Sequence, residues 1–220
     1  MLIEYGRDTY TGIMSYMNVH SVSTSTNDRV IRERLRVELA GCTIIEELGL
    51  RHGTVRVDMV VVDEESRSMH GYELKSDLDT LQRLPEQMKV YNATLDRVTL
   101  VVGKKHLHEA IKLIPDWWGV MIAKIPNGSD EVSLMTLRYA SDNPSNKDSF
   151  SIAQLLWRNE ALTILEEIEA AKGMRSKSRE AIYRRLVEEI TQQDLCERVR
   201  TRLMCREGWR SAKLPSLGGD

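Results

Sequence analysis

Three charged residues lie on two strand-like segments of the sequence, and their types suit metal-assisted chemistry. Asp58 lies in an apolar run that ends at Val62, and Glu73 and Lys75 close a second run that starts near residue 70. Side chains alternate between the two faces of a strand, so Glu73 and Lys75 share a face. If the two segments pair as a hairpin, Asp58 lies beside Glu73, and two carboxylates meet one ammonium. Unpaired charge is costly to bury, whereas this set could hold Mg²⁺ next to a phosphodiester.

Each member of this set has a definite role in the hydrolysis of a phosphodiester. Mg²⁺ prefers oxygen ligands and keeps several waters, so Asp58, Glu73 and the backbone carbonyl of Leu74 are the predicted ligands. Lys75 would lie beside the attacking water, where a compact ammonium offsets developing negative charge. We therefore predict Mg²⁺ as the cofactor, with Mn²⁺ as a substitute. The bare pattern also fits solvated charges at a hairpin edge and gains specificity only from its surroundings.

The elements that would position these residues follow from hydrophobic periodicity and from the Gly and Pro positions. Predicted strands cover residues of about 43–48, 54–63, 70–76, 97–102, 118–125 and 131–139. Predicted helices cover about 28–40, 78–95, 105–114, 151–172, 177–191 and 192–206. Pro85 predicts that the helix over 78–95 either starts late or is kinked.

This order predicts an α/β fold with a mixed central sheet flanked by helices and an all-α C-terminal extension. The second and third strands would be antiparallel, and helical crossovers would join the later strands. A chain of 220 residues suits one domain with an appendage or two small domains. The predicted segments are an N-terminal arm over 1–26, a core over 27–139, a linker over 140–150, a helical region over 151–210 and a tail over 211–220.

The motif and its strand context resemble the PD-(D/E)XK nuclease superfamily, whose signature is an Asp, a variable gap and then Glu-x-Lys. Val57 stands where that signature has a proline before Asp58. The run over 71–84 resembles a compact bacterial and phage branch of the superfamily, and the likeness extends over residues 28–210. The resemblance implies a restriction-endonuclease-like fold and a Mg²⁺-dependent deoxyribonuclease, which would act in DNA repair, mobile-element or phage-defence processing.

The resemblance also implies further site residues. Gln87 and Tyr91, four residues apart on one helix face, match the Gln-x-x-x-Tyr helix of RecB-like and Cas4-like branches, where it contacts the DNA strand. An additional ligand often lies on the first helix, which Glu38 would supply. Glu46 and Glu47 on the first strand are its competitors, and only one of them should face the side of Asp58.

Charge is distributed unevenly, although the formal net charge is only -2. Residues 1–150 carry 18 Lys and Arg against 22 Asp and Glu, whereas residues 172–213 carry 12 against 6. The basic region therefore suits a nucleic-acid backbone, or a helical bundle with solvated arginines. The predicted phosphate contacts at the core and in this region are Arg56, Ser76, Lys177, Arg179, Arg184 and Arg185.

Bulk properties point to a cytoplasmic protein. No apolar run approaches the roughly 20 residues of a membrane span, and we expect no membrane partner. The three cysteines lack metal-ligand spacing and read as reduced thiols.

The residues leave alternatives open. The chain could be a catalytically inactive nuclease-fold module that binds nucleic acid, or a protein-interaction module whose helical C-terminal region docks a partner protein or a second copy as a homodimer. The expected partner is DNA, and nothing in the sequence separates DNA from RNA or endonuclease from exonuclease.

Overall fold

The computed structural model describes residues 25–63, 65, 67–145 and 147–206. The strands are β1 (Thr43–Leu50), β2 (Val55–Asp63), β3 (Ser68–Lys75), β4 (Arg97–Gly103), β5 (Gly119–Lys124) and β6 (Ser133–Arg138). The helices are α1 (Asp28–Glu38), α2 (Leu84–Thr94), α3 (Leu107–Leu113), α4 (Ser149–Ala153), α5 (Arg158–Glu167), α6 (Arg179–Glu189) and α7 (Gln192–Cys205). A short 3₁₀ turn, Arg51–Gly53, joins β1 to β2.

The six strands form one mixed sheet in chain order, β1 to β6. The pairs β1–β2, β2–β3 and β5–β6 are antiparallel, whereas β3–β4 and β4–β5 are parallel and are joined through α2 and α3. Helices therefore flank a mixed sheet, and helices follow it in the C-terminal region. The predicted fold class is confirmed.

Two cores cover the two faces of the sheet. On one face α1 buries Ile31 and Leu35 against a cluster that includes Tyr72 and Leu74 of β3. On the other face α2, α3 and the four C-terminal helices share one continuous cluster. β4 alternates between the two cores, which explains its apolar sequence, because a central parallel strand is buried on both faces.

The position of Pro85 in α2 decides between a late helix start and a kink. The helix begins at Leu84 and places the proline in its first turn, where its missing N–H costs no intrahelical hydrogen bond. A late start, and not a kink, therefore accommodates the proline. Residues 76–83 instead form turns that lead from β3 to the helix.

The predicted helix over 151–172 is wrong in its length. α4 ends at Ala153, and α5 starts at Arg158 after the N-cap residue Trp157, where the side chain of Glu160 accepts a 2.6 Å hydrogen bond from the Trp157 N–H. Apolar spacing continues through this break because both helices face the same core, which is why periodicity alone predicted one helix.

The segment over 140–150 is held against the sheet core by hydrogen bonds. Asn143 Nδ2 donates to the carbonyls of Asn92 and Leu95, at 2.8 and 2.9 Å. The Asp148 N–H donates to the Ala93 carbonyl at 2.9 Å. These bonds fasten the start of the helical region to the end of α2.

Two predicted segments lie largely outside the described residues, namely most of the arm over 1–26 and the whole tail over 211–220. At the end of the arm, Thr26 is buried, and its N–H and hydroxyl each donate to Asp77 Oδ2 at 2.8 Å. In the part of the chain that is described, no helix combines the length and apolar content needed to cross a membrane.

Candidate functional site

The site forms where β2 and β3 separate. Their pairing ends at Met59 and Tyr72. Beyond this point the Leu74 N–H donates to the side chain of Asp58 instead of to a backbone carbonyl of β2, at 2.8 Å from Oδ2. The N–H and C=O of one strand residue point to the same edge. The carbonyl of Leu74 is therefore directed toward the gap that β2 leaves, beside Asp58.

β1 and β2 both lose their regular alternation at this point. In β2, Val57 and Val60 are three residues apart yet belong to the same core, so the irregularity lies at Asp58. β1 shows the same spacing around Glu47, whose φ of 53° is in the left-handed region. Non-glycine residues are held there only when their surroundings enforce it, and such residues concentrate at functional sites. Here the irregularity turns Glu47 and Asp58 to the site.

Glu73 lies at the centre of a group of three donors. Its side chain is 1% exposed, and its Oε1 accepts from Lys75 Nζ at 2.5 Å and from Gln87 Nε2 at 2.7 Å. Tyr91 Oη lies 2.5 Å from Glu73 Oε2 and 2.7 Å from the carbonyl oxygen of Arg56. The strand β3 and the helix α2 thus place three predicted side chains, those of Lys75, Gln87 and Tyr91, around the buried carboxylate of Glu73.

Gln87 presents an acceptor that the protein leaves open. Its Nε2 faces Glu73, so the orientation of the amide is fixed, because a flip would set oxygen against oxygen. The amide oxygen Oε1 is buried and has no hydrogen-bond partner among the described residues. Buried polar atoms are nearly always satisfied, so this oxygen calls for a donor from a ligand or a water.

Arg32 of α1 is the cation that faces Asp58. Its Nη2 lies 2.9 Å from Asp58 Oδ1 and 3.0 Å from Glu47 Oε1, and its Nη1 donates to the Asp58 carbonyl at 3.0 Å. Asp28, one turn earlier on α1, adds a third carboxylate at 3.4 Å. The guanidinium of Arg32 therefore forms ion pairs with three carboxylates.

Burial and the neighbouring carboxylate of Glu73 both raise the pKa of Asp58. Burial is the largest cause and the charge of Glu73 the second, and together they raise this pKa to about 7, although the Leu74 N–H and Arg32 act to lower it. A group in this state gains from additional positive charge nearby. Additional positive charge near Asp58 would therefore stabilise the ionised form of its carboxyl group.

These residues line an open cleft of about 670 Å³. Asp58, Glu73, the Leu74 backbone and Lys75 lie in its wall, and Arg56 and Gln87 lie beside them. No group of three His, Cys, Asp or Glu side chains within the described ranges is arranged to hold a metal ion. The oxygen donors in the wall of the cleft are the carboxylates of Asp58 and Glu73 and the carbonyl of Leu74, and oxygen donors suit a hard cation such as Mg²⁺.

Comparison with known proteins places all of the helices and strands described above in one family. The family model described as bacteriophage P4 protein cII matches residues 28–214. The chain belongs to this family. The match includes both the sheet and the C-terminal helices of this cII-family chain.

A curated relative supports this placement over a shorter stretch. Protein cII of Enterobacteria phage P4 is 31% identical over 91 residues, which are 41% of this chain and 33% of that protein. The chain thus spans about a third of the relative it matches. No solved structure matches the chain.

The structure separates the candidates for the additional ligand. Glu38 pairs with Arg34 on the exposed side of α1, and Glu46 accepts from Arg36 at 2.6 and 2.7 Å. Glu47 lines the cleft. Of the three glutamates, only Glu47 is therefore placed beside Asp58.

The predicted phosphate contacts differ in their surroundings. Ser76 is buried, and its hydroxyl donates to Asp79 Oδ2 at 2.5 Å, so it is not presented to the cleft. Arg184 and Arg185 pair with Glu180 and Glu189 on their own helix, at 2.6 and 2.7 Å.

Lys177 and Arg179 contrast with that helix pair. Both are exposed, and neither takes part in an ion pair within the described residues. Their charges are therefore the more available ones for a polyanion.

Sequence reasoning missed Arg32, although a signal for it was present. Arg32 follows Asp28 by four residues, so both occupy one face of α1. Glu47 was foreseen as one of several alternatives, and its backbone conformation had no signal in the sequence.

Proposed function

We propose that this chain is a metal-dependent nuclease of PD-(D/E)XK type, which hydrolyses phosphodiester bonds of DNA. The observation that carries the proposal is the convergence of Asp58, Glu73 and Lys75 with Gln87 in one open cleft. The amide oxygen of Gln87 is buried and has no hydrogen-bond partner among the described residues. A purely structural ion-pair cluster does not explain this open acceptor, whereas a site that binds a hydrated ligand does.

The cation would be held by Asp58, Glu73 and the Leu74 carbonyl, with Glu47 as the additional carboxylate. A divalent cation there would supply Lewis acidity toward the phosphate and the attacking water. Lys75, held by Glu73, directs its ammonium at the negative charge that develops on the phosphate oxygens.

Gln87 would orient the nucleophile. Its free Oε1 can accept a hydrogen bond from water in the cleft, while its Nε2 remains on Glu73. Tyr91 fixes the second oxygen of Glu73 and thereby the rotamer of that carboxylate. Arg56 and Arg83 line the exposed part of the cleft, where guanidinium groups hold phosphates and give affinity without sequence preference.

The test is cleavage of single-stranded, duplex and branched DNA by the full chain with Mg²⁺ or Mn²⁺. We expect Asp58→Asn and Glu73→Gln to reduce the rate at least about 100-fold, the scale of a lost transition-state contact. The matched control is Asp142→Asn, which removes an acid that is 80% exposed and pairs with Arg97 outside the cleft. Equal cleavage by all three variants, or no cleavage with any divalent cation, would refute the proposal.

One observation favours a second candidate, a nucleic-acid-binding module without catalysis. Arg32 and the Leu74 N–H already occupy both oxygens of Asp58, so an arginine neutralises the acid where a hydrolase needs a metal ion. This candidate predicts DNA binding that does not change with divalent cations and that survives Asp58→Asn. Metal-enhanced binding that is lost in this variant would eliminate it.

A further inference from the structure

A second cavity adjoins the catalytic cleft. It measures about 370 Å³ and lies between the 3₁₀ turn and the N-terminal ends of α5 and α6. Gly53 lines both this cavity and the cleft. Gly49 of the cavity also pairs with Arg56 of the cleft across β1 and β2. The two spaces are thus continuous along one surface, and we call the second one the arginine cavity.

The arginine cavity is positively charged. Arg158, Arg179 and Arg206 line it, and its lining includes no Asp or Glu. Arg206 pairs with Glu160 at 2.5 Å. Arg158 donates to the backbone carbonyls of Arg175 and Lys177 at 2.5 and 3.1 Å and has no carboxylate partner among the described residues.

Arg179 is the most available of the three charges. It is exposed, and its Nη1 lies 3.4 Å from His52 Nδ1 with no carboxylate partner in the described part of the chain. A guanidinium beside a histidine is a poor internal pair but a good phosphate site, because it offers several N–H donors in a fixed plane.

Trp157 adds an aromatic surface to this charge. Trp157 is 56% exposed, and the guanidinium of Arg206 lies over its ring at 4.3 Å from the ring centroid. An exposed indole with a cation behind it offers a stacking platform to a base, which has a π-face whatever its identity. Stacking requires a base that is not already paired and stacked in a duplex.

We infer that the arginine cavity binds an unpaired segment of the nucleic acid whose phosphodiester lies in the cleft, with a phosphate at Arg179 and a base on Trp157. The inference rests on the proposed function and names its substrate class. The substrate is single-stranded DNA or a duplex with a single-stranded branch, and blunt duplex is disfavoured. Arg179 and Trp157 are binding residues and take no part in the chemistry.

The experiment measures binding of a fluorescent 20-nucleotide single strand and of a blunt duplex by anisotropy, in EDTA so that no cleavage occurs. We expect Arg179→Gln and Trp157→Ala each to weaken single-strand binding about tenfold, and Trp157→Phe to restore most of the loss. Arg179→Gln should also reduce the slope of log Kd against log salt by about 0.7, the value for one phosphate contact on a single strand.

The matched control is Arg198→Gln, which removes the same charge from a residue paired with Glu167 and Asp194 and outside both cavities. The inference is overturned if Arg179→Gln and Arg198→Gln weaken binding equally, or if blunt duplex binds as tightly as the single strand. If the protein cuts DNA and Arg179→Gln binds the single strand as tightly as the wild type, the inference about the arginine cavity is wrong and the nuclease proposal is unaffected. Loss of binding in Arg179→Gln without cleavage under any divalent cation would support this surface and refute the nuclease proposal.

Discussion

The buried pair of Glu73 and Lys75 allows a stability experiment that is independent of catalysis. Their side chains are 1% and 7% exposed, and Nζ lies 2.5 Å from Oε1. Lys75→Met removes the ammonium at nearly constant volume and leaves a buried carboxylate without its cation. Breaking a buried pair from one side costs about 3–5 kcal/mol. Because Gln87 and Tyr91 still reach Glu73, we expect the lower end, about 3 kcal/mol.

A double-mutant cycle isolates the pairwise term. Glu73→Gln alone leaves the Lys75 ammonium buried, so it is also destabilising. Glu73→Gln with Lys75→Met replaces both charges and should lose less than the sum of the single variants, since removing both charges of a buried pair is often close to neutral. We expect a coupling energy of about 2 kcal/mol or more.

The assay is urea unfolding at pH 7, followed by tryptophan fluorescence and by far-UV circular dichroism. Coincident transitions and equal m-values would show that the variants unfold in the same two-state manner. If both single variants lose less than about 1 kcal/mol and their effects add, the two charges are not coupled in solution. The assembly of the site around Glu73 would then be wrong. Because we expect Lys75 variants to be destabilised, their activity should be measured well below their melting temperature.

Two further predictions concern stability. Burial lowers the pKa of His70 to about 4, so the unfolded chain binds a proton between pH 6.5 and 4 that the native state does not, and stability falls as the pH drops through this window. His70→Gln should reduce the pH-dependent loss by about 2 kcal/mol in unfolding measurements at pH 6.5 and 4, and an unchanged loss would contradict this. A methyl group at Gly103 would lie 2.5 Å from Asp77 Oδ1 and 2.7 Å from the Asp77 nitrogen. Gly103→Ala should therefore destabilise the protein by about 1–3 kcal/mol, and a melting temperature equal to that of the wild type would show that this contact yields freely.

Much of the site was predictable because it depends on short-range periodicity. Alternation placed Glu73 and Lys75 on one face of β3, and helical spacing placed Gln87 and Tyr91 on one face of α2. The two pairs meet because α2 is the crossover between the parallel strands β3 and β4. Pro85 predicted either a late start or a kink of this helix, because its ring restricts the local backbone, and the structure has the late start.

The remainder depends on features that periodicity cannot encode. The backbone at Glu47 has a positive φ, which a sequence without glycine at that position does not announce. Arg32 faces three acids only after α1 has packed across the sheet. The surroundings of Arg179 depend on the fold as well, because its neighbour His52 lies on the 3₁₀ turn, far away in the sequence.

Arg32 has a consequence for how the molecule comes together. The carboxylates of this site would repel one another during folding if a divalent cation from solution were the only positive charge near them. Arg32 supplies a permanent positive charge from α1, so the acids can come together in the folding chain without a metal ion. If a divalent cation binds as proposed, its binding and the folding of the chain are then separate events, and a chelator should leave the tertiary structure intact.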